Sequence, residues 1–371
     1  MAHKEEFTWV STAMNIDLLQ YAIPVFFGLI FIEALYSQVK GLRLYNLRNS
    51  LSCLGCGIFT TSVEVFIKAA LVGLYVWVYE NFAWTKLADD SWLTWITALL
   101  LFDFLWYWAH RLSHEVNVLW GGHVPHHQSE EFNLTAGLRQ GALQDFMYWP
   151  LYLVMAILGY SAEMFVAHML INKFYGFWLH TRAIDKIPLI EGILGTPSAH
   201  RVHHGMNDKY IDKNHGGIFM LFDRLFGTYQ AEEEDVIFGV RKRYSSFNPV
   251  WAHFDWLHCL YKDACLTNSW RDKVRIWFMP TGWRPKDVAV KDPRKKFCET
   301  SYLKFDAQPG KYPFRLALAV FALLSVANQV LILQSESLSW GIKGALVIFI
   351  TIGLLWLGHL LNESKRITRP T

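Results

Sequence analysis

The chain has 371 residues, of which 53% are hydrophobic and 18% charged, with a formal net charge of +3. This balance lies on the apolar, charge-poor side of soluble domains, and a small cationic surplus without a basic stripe gives no reason to expect a nucleic-acid partner. The apolar excess is gathered into runs of spanning length, which points to a multi-pass membrane protein.

In chain order the runs cover residues 17 to 36, then 51 to 79 with only Glu64 and Lys68 interrupting, then 92 to 109. Two more, at 312 to 333 and 340 to 361, lie near the C-terminus. Each is close to the roughly 20 residues that cross a hydrocarbon core as a helix. Lys4, Glu5 and Glu6 precede the first run without the basic start and short core of a cleaved signal, so that span is expected to remain. Between the third and fourth runs, an apolar stretch from 143 to 179 is divided by Pro150 and by Gly159, Tyr160 and Ser161. It reads as a helical hairpin that dips in and returns to the same side.

Five cysteines, Cys53, Cys56, Cys259, Cys265 and Cys298, are irregularly spaced, and the Cys53–Cys56 CxxC falls in an apolar helical stretch, which favours packing over redox chemistry. Residues 231 to 311 are polar, opening on Glu232, Glu233, Glu234 and Asp235. Trp251, Trp256, Trp270, Trp277 and Trp283 are scattered there among basic residues, as suits either a packed cap or a layer at the headgroups.

Loop charge sets the expected orientation. Lys40, Arg43 and Arg48 follow the first run, and Lys365, Arg366 and Arg369 follow the last, while Glu80, Asp89, Asp90 and Glu336 dominate the loops on the other side. We therefore expect an all-α, multi-pass transmembrane protein with a cytosolic, histidine-rich di-metal cap. Its divisions are N-terminal transmembrane helices over 1–91, a catalytic domain over 92–240, a cytosolic or interfacial segment over 241–311 and a C-terminal transmembrane pair over 312–371.

Eleven of fifteen histidines lie between positions 110 and 215. Eight form three clusters: His110 and His114; His123, His126 and His127; His200, His203 and His204. Spacings of i, i+4 and of i, i+3, i+4 project from one side of a helical turn. Neutral imidazole is the commonest protein metal ligand, and eight are too many for one ion, so two centres are expected. The hairpin brings His180 to the same side as a ninth ligand, whereas His168, inside an arm, fits hairpin packing. The chain lacks the HExxH of zinc hydrolases and the Glu-x-x-His pairs of carboxylate-bridged bundles. A nitrogen-rich shell with open positions suits non-haem iron better than magnesium or calcium.

Asp103 lies seven residues before His110, on nearly the same helical face within a span, where an acid is by default functional. It is expected to accept an imidazole N–H or to bond a neighbouring helix. Asp103, Glu115 and Asn133 are the candidate catalytic residues, with Asp145 and Asp223 as weaker supporting candidates. A metal transporter or sensor is the non-enzymatic alternative, but it would spread its ligands through the spans.

HRLSH (110–114), HVPHH (123–127) and HRVHH (200–204), on a multi-pass scaffold, resemble the fatty acid hydroxylase and sterol desaturase superfamily of membrane di-iron oxygenases. The strings HEVNVLWGGHVPHHQSEEFNLTAGLRQ from His114, FWLHT from Phe177 and TPSAHRVHHGMNDKYIDKNHGGIFMLFDRLFGTY from Thr196 are most similar to its ether-lipid-cleaving members. The likeness is dense from about residue 100 to 240 and thin outside. It implies that the eight clustered histidines and His180 hold two irons, and that Glu115 matters. His215 stands in KNHGG where the resemblance leads us to expect an aromatic, so no ligand role carries over to it.

The implied reaction is oxygen-dependent hydroxylation of a lipid C–H bond beside the ether oxygen of an alkylglycerol, releasing a fatty aldehyde. The alternative with the same metals is a sterol or fatty-acyl desaturase or hydroxylase. No dinucleotide fingerprint, haem motif or iron-sulfur cysteine set is present, so electrons come from outside. The resemblance implies tetrahydrobiopterin, or an electron-donor protein of the cytochrome b5 or ferredoxin type. It also implies residence in the endoplasmic reticulum membrane of a eukaryote or the inner membrane of a bacterium.

Overall fold

A computed structural model describes residues 16–294, 297–305 and 314–363. Lys4, Glu5 and Glu6, and the terminal Lys365, Arg366 and Arg369, lie outside the described residues. Among those described there are helices and isolated bridges but no strand. Five helices are long and apolar enough to cross a membrane: α1 (Ile16–Lys40, with its apolar window at Ile23–Lys40), α2 (Leu47–Phe82), α3 (Trp92–Glu115), α13 (Phe314–Leu333) and α14 (Trp340–Asn362). They coincide with the five runs read from the sequence, and the chain is an integral membrane protein.

Local chemistry sets where the helices begin. Asn46 caps α2 by accepting the Arg48 and Asn49 N–H groups, and Ser91 caps α3 by accepting that of Thr94. At 36 residues, α2 is about 54 Å long by helical rise, longer than the hydrocarbon core. Its first turns continue into the cap, where Cys56 donates to the Pro249 carbonyl at 3.4 Å. Both CxxC thiols are free and buried.

The hairpin consists of α6 (Gln144–Leu158) and α7 (Ala162–Trp178), each short of a full crossing. Only its tip is a break. Pro150 lies inside α6, losing one N–H without ending the helix. Gly159 turns the chain at φ +94°, where a Cβ would meet the Thr85 carbonyl oxygen at 2.0 Å, so glycine is required twice over. Ser161 then caps α7.

Two apolar clusters hold the membrane part together. One joins α2, α3, α6 and α7 through Tyr75, Phe102, Tyr152 and Phe165, with Phe102 stacked on Tyr152 at 5.2 Å. The other packs α13 and α14 on α2 through Leu324, Leu354 and Leu357. Lipid tails remove the hydrophobic drive between helices, so close approach carries the association. At Gly353 an added Cβ would come within 2.4 Å of a Leu324 methyl, so alanine there would force that side chain to move. Two ion pairs lie inside this part, Glu64 with Lys68 at 2.6 Å and Asp145 with Lys173 at 2.7 Å.

The cap carries the short helices α4 (Asn117–His127), α5 (Leu134–Gly137), α8 (Pro197–His203) and α9 (Leu221–Leu225). Three more, α10 (Asp255–Leu266), α11 (Trp270–Arg275) and α12 (Lys286–Lys291), follow. The Trp256 ring nitrogen donates to the Asn117 carbonyl at 3.0 Å, and Trp256 with Ile276 buries Val124. This packing lays the later polar segment against α4, and α4 carries three of the clustered histidines.

Candidate metal centre

Each histidine cluster is delivered by a different element. His110 and His114 occupy the last two turns of α3, and His123, His126 and His127 end α4. His180 follows α7, and His200, His203 and His204 lie on α8 and its C-cap. Thr196 caps α8 by accepting the Ala199 N–H, and Pro197 opens it, which fixes so short a helix at its start. Arg139 holds the end of α4 from within, donating to the Pro125 carbonyl at 2.6 Å and to Gln128 Oε1 at 2.8 Å. Beside it the backbones approach closely: a Cβ on Gly141 would lie 1.8 Å from the Gly122 oxygen.

The nine imidazoles form two groups. His110, His114, His123, His127 and His203 make one, and His126, His180, His200 and His204 the other, with ligand nitrogens in each group within 4.8 Å of one another. All are buried except His200, which is partly exposed. In the first group the His114 ring stands 4.6–5.3 Å from the other four, while His123 and His203 face each other across 6.4 Å. These rings lie as in a pyramid with His114 at its apex. In the second, His126 and His200 are opposed at 6.3 Å, with His180 and His204 beside both at 4.3–4.9 Å.

The outer nitrogens show what the inner ones are for. The Nδ1 of His110 faces the His215 carbonyl at 2.9 Å, that of His126 the Arg139 carbonyl at 2.9 Å, and that of His203 the Lys213 carbonyl at 3.0 Å. His180 Nδ1 faces the Gly176 carbonyl at 2.8 Å and His123 Nδ1 faces Gln144 Oε1 at 2.6 Å. A carbonyl only accepts, so all five rings carry the proton on Nδ1 and turn a bare Nε2 inward. Yet Nε2 of His110 lies 3.0 Å from Nε2 of His123, and Nε2 of His126 lies 3.1 Å from that of His180. Two acceptors cannot hydrogen-bond each other. The donor set therefore fits a cation between the rings, with their outer N–H groups fixed by carbonyls.

The rings are also held neutral. Burial pushes the pKa of His123, His127, His180, His200, His203 and His204 well below the ordinary imidazole value and brings His126 down to about 4. Nε2 of His114 and of His203 is buried with no hydrogen-bond partner, as an inward-facing ligand nitrogen would be.

The other residues singled out in the sequence lie around this core. Asp103 reaches no imidazole: its carboxylate accepts the N–H groups of Ile218 at 2.7 Å and Phe219 at 3.1 Å and holds the loop after His215. Glu115 sits at the rim, 40% exposed, paired with Arg111 at 2.8 Å. Asn133 caps α5, accepting from Thr135 while donating to the Leu44 carbonyl at 2.9 Å. Asp145 is held by Lys173. Asp223 accepts the N–H groups of His215 and Gly216, and His168 donates within its own helix to the Met164 carbonyl at 2.7 Å.

Sequence reasoning missed Gln144, Asp212 and the backbone carbonyls that orient the rings. Asp212 Oδ1 lies 3.7 Å from His114 Nδ1. Carbonyls leave no mark in a sequence. Gln144 is the first polar side chain of an apolar arm, which was a signal available to be read. His215 is fully buried against His110, His114 and His203, its ring centroid 5.0–5.7 Å from theirs, with neither ring nitrogen bonded.

Residues 95–228 match the fatty acid hydroxylase family. The chain is 35% identical to human alkylglycerol monooxygenase over 270 residues, covering 72% of this chain and 60% of that one. It is 32% identical to the alkylglycerol monooxygenase of Danio rerio over 353 residues, covering 93% and 77%. A shorter match, 29% over 142 residues, joins 36% of the chain to an ornithine lipid hydroxylase of Rhizobium tropici. The chain thus spans about 60% of the length of its human and Xenopus tropicalis relatives. No solved structure matches it.

Proposed function

The chain belongs to the fatty acid hydroxylase family, and from this premise we propose that it is an oxygen-dependent di-iron monooxygenase of ether lipids. Its substrate is an alkylglycerol, hydroxylated at the carbon beside the ether oxygen. The resulting hemiacetal parts into a fatty aldehyde and a glycerol derivative. The observation that carries the reading is the double group of nine imidazoles with bare Nε2 atoms turned inward. The names of the relatives support the substrate class.

Iron bound in such a shell, when reduced, supplies activation of dioxygen for attack on an unactivated C–H bond. His110, His114, His123, His127 and His203 would hold one ion and His126, His180, His200 and His204 the other. The chain's own work is positional. The carbonyls of Arg139, Gly176, Lys213 and His215, with Gln144, keep five of the nine rings in one tautomer and orientation. Phe132, 1% exposed, lies 5.5 Å from the His180 ring and stacks on Phe238 at 4.7 Å. This aromatic wall covers the second group beside His180 and suits an alkyl chain.

Tetrahydrobiopterin is the proposed reductant, with a cytochrome b5 or ferredoxin type of donor as the alternative. The basic loop of Lys40, Arg43 and Arg48 supports placing the site in the cytosol. Incubation of purified protein with an alkylglycerol, oxygen and each reductant should yield fatty aldehyde, with one oxygen atom from dioxygen in the hydroxylated carbon. Turnover of equal rate without oxygen would overturn the reading, and loss of two hydrogens without cleavage would favour a desaturase.

A further inference from the structure

We propose that the outward face of α11 and the turn after it is an anchor in the membrane headgroup layer, taking an anionic lipid surface as its partner. Trp270, Val274 and Phe278 are 80%, 62% and 70% exposed, and they recur every fourth residue, which places them in one stripe. The opposite side is fixed: Ile276 is fully buried among Val124, Trp256 and Leu260. Three large apolar side chains facing outward from a firmly packed segment belong to no apolar core cluster among the described residues.

Their depth identifies what covers them. The Val118 N–H donates to the Trp277 carbonyl at 2.8 Å, the Asn117 N–H to the Met279 carbonyl at 3.0 Å, and the Thr281 N–H to the Glu115 carbonyl at 3.1 Å. These bonds tie residues 277–281 to the chain just beyond α3, a spanning helix of 24 residues. Roughly 20 residues cross the hydrocarbon, so the end of α3 stands in the headgroup layer. Helical rise then keeps Trp270 within about 12 Å of Phe278.

The charge pattern selects the lipid. Arg271, Lys273 and Arg275 accompany the stripe against one acid, Asp272. Lys273 Nζ lies over the Trp270 ring, 5.3 Å from its centroid, and donates to the Ala264 carbonyl at 3.1 Å, which holds a positive charge beside the exposed aromatic. A basic amphipathic segment carrying tryptophan has the composition of an interfacial helix. The Thr281 hydroxyl also donates to the His114 carbonyl, so the anchor would hold the end of the helix that carries His114 at a fixed height above the leaflet.

The full chain, with Cys259, Cys265 and Cys298 changed to Ser, is reconstituted in phosphatidylcholine bilayers with and without phosphatidylglycerol. Nitroxides are placed through Val274→Cys, Phe278→Cys and, as an exposed control on α10, Lys262→Cys. Labels at 274 and 278 should collide with membrane-soluble oxygen in preference to a water-soluble nickel complex, and the control should show the reverse. Arg271→Ser should weaken retention of phosphatidylglycerol around the protein about fivefold. Labels at 274 and 278 that are as open to nickel as the control, or closed to both reagents, would overturn the proposal. So would a lipid preference that Arg271→Ser and Lys273→Ser together leave unchanged.

Discussion

The two imidazole groups share α4 and α8 but face different surroundings. The first has five rings, and its apical His114 lies 3.7 Å from Asp212 beneath a polar rim of Arg111 and Glu115. The second has four rings and lies against Phe132 and Phe238. Six positions around an ion minus five leaves one, and minus four leaves two. The difference assigns more room for exogenous ligands and an aromatic wall to the second group, and a nearby carboxylate and ion pair to the first. In the reading proposed above, the alkyl chain meets the second group.

Ligand deletion tests this contrast most severely. His204→Ala leaves three rings in the smaller group and should remove its metal, with activity falling by well over ~100-fold, since loss of a mere orienting residue already costs up to that much in affinity. His127→Ala leaves four in the larger group, which should keep part of its metal while activity still collapses. Iron content measured per chain separates the two. Equal metal loss from both variants would break the comparison.

Gln144 is the next lever. It is the only side chain, rather than a backbone carbonyl, among the five resolved acceptors of ring protons. Gln144→Leu should lower metal affinity of the first group by roughly 10–100-fold, with the second little changed, while Gln144→Glu, still an acceptor, should restore most of it. Competition with a chelator reads this directly.

Gln144 also shows where sequence reading stops. The spans were legible because runs of apolar residues have a length set by the bilayer. The clusters were legible because i, i+3, i+4 spacing is a property of the helix alone. His180 could be added because hairpin parity returns the chain to one side. What orients the rings was hidden, because four of its five parts are backbone carbonyls whose positions depend on tertiary contact. Asp103 illustrates the same limit: periodicity placed it on the histidine face, but its two oxygens are taken by the Ile218 and Phe219 N–H groups.

Acid should act through the neutral rings. The folded-state pKa of His126 is about 4, below the ordinary imidazole value of 6.5, because burial disfavours its charged form. Between these values the unfolded chain binds more protons, so stability rises with pH there and is complete above the unfolded value. Metal-free protein should lose stability from about pH 6.5 down to about pH 4, at about 3 kcal/mol for His126 alone. Thermal melts of metal-free protein across that window check it, and an unchanged midpoint would show that the rings are not buried neutral.

The smallest expected effects separate holding from chemistry at the carboxylate and amide residues near the site. Asp103→Asn keeps the shape but weakens two bonds to backbone N–H groups inside a buried site, for roughly 1–3 kcal/mol. Because that loop continues from His215, whose carbonyl accepts from His110, the loss should appear first in the five-ring group. Asn133→Ala removes the cap of α5 for about 1 kcal/mol, and α5 abuts His180, with a Cβ on Gly137 coming 3.1 Å from His180 Nδ1. Its loss should therefore appear in the four-ring group. Cobalt substitution followed by optical spectra would report each group's ligand field separately. Asp103→Asn and Asn133→Ala that lower the melting temperature while perturbing opposite groups would establish both residues as supports. A collapse of turnover with both stability and spectra intact would instead place either one at the reacting atoms.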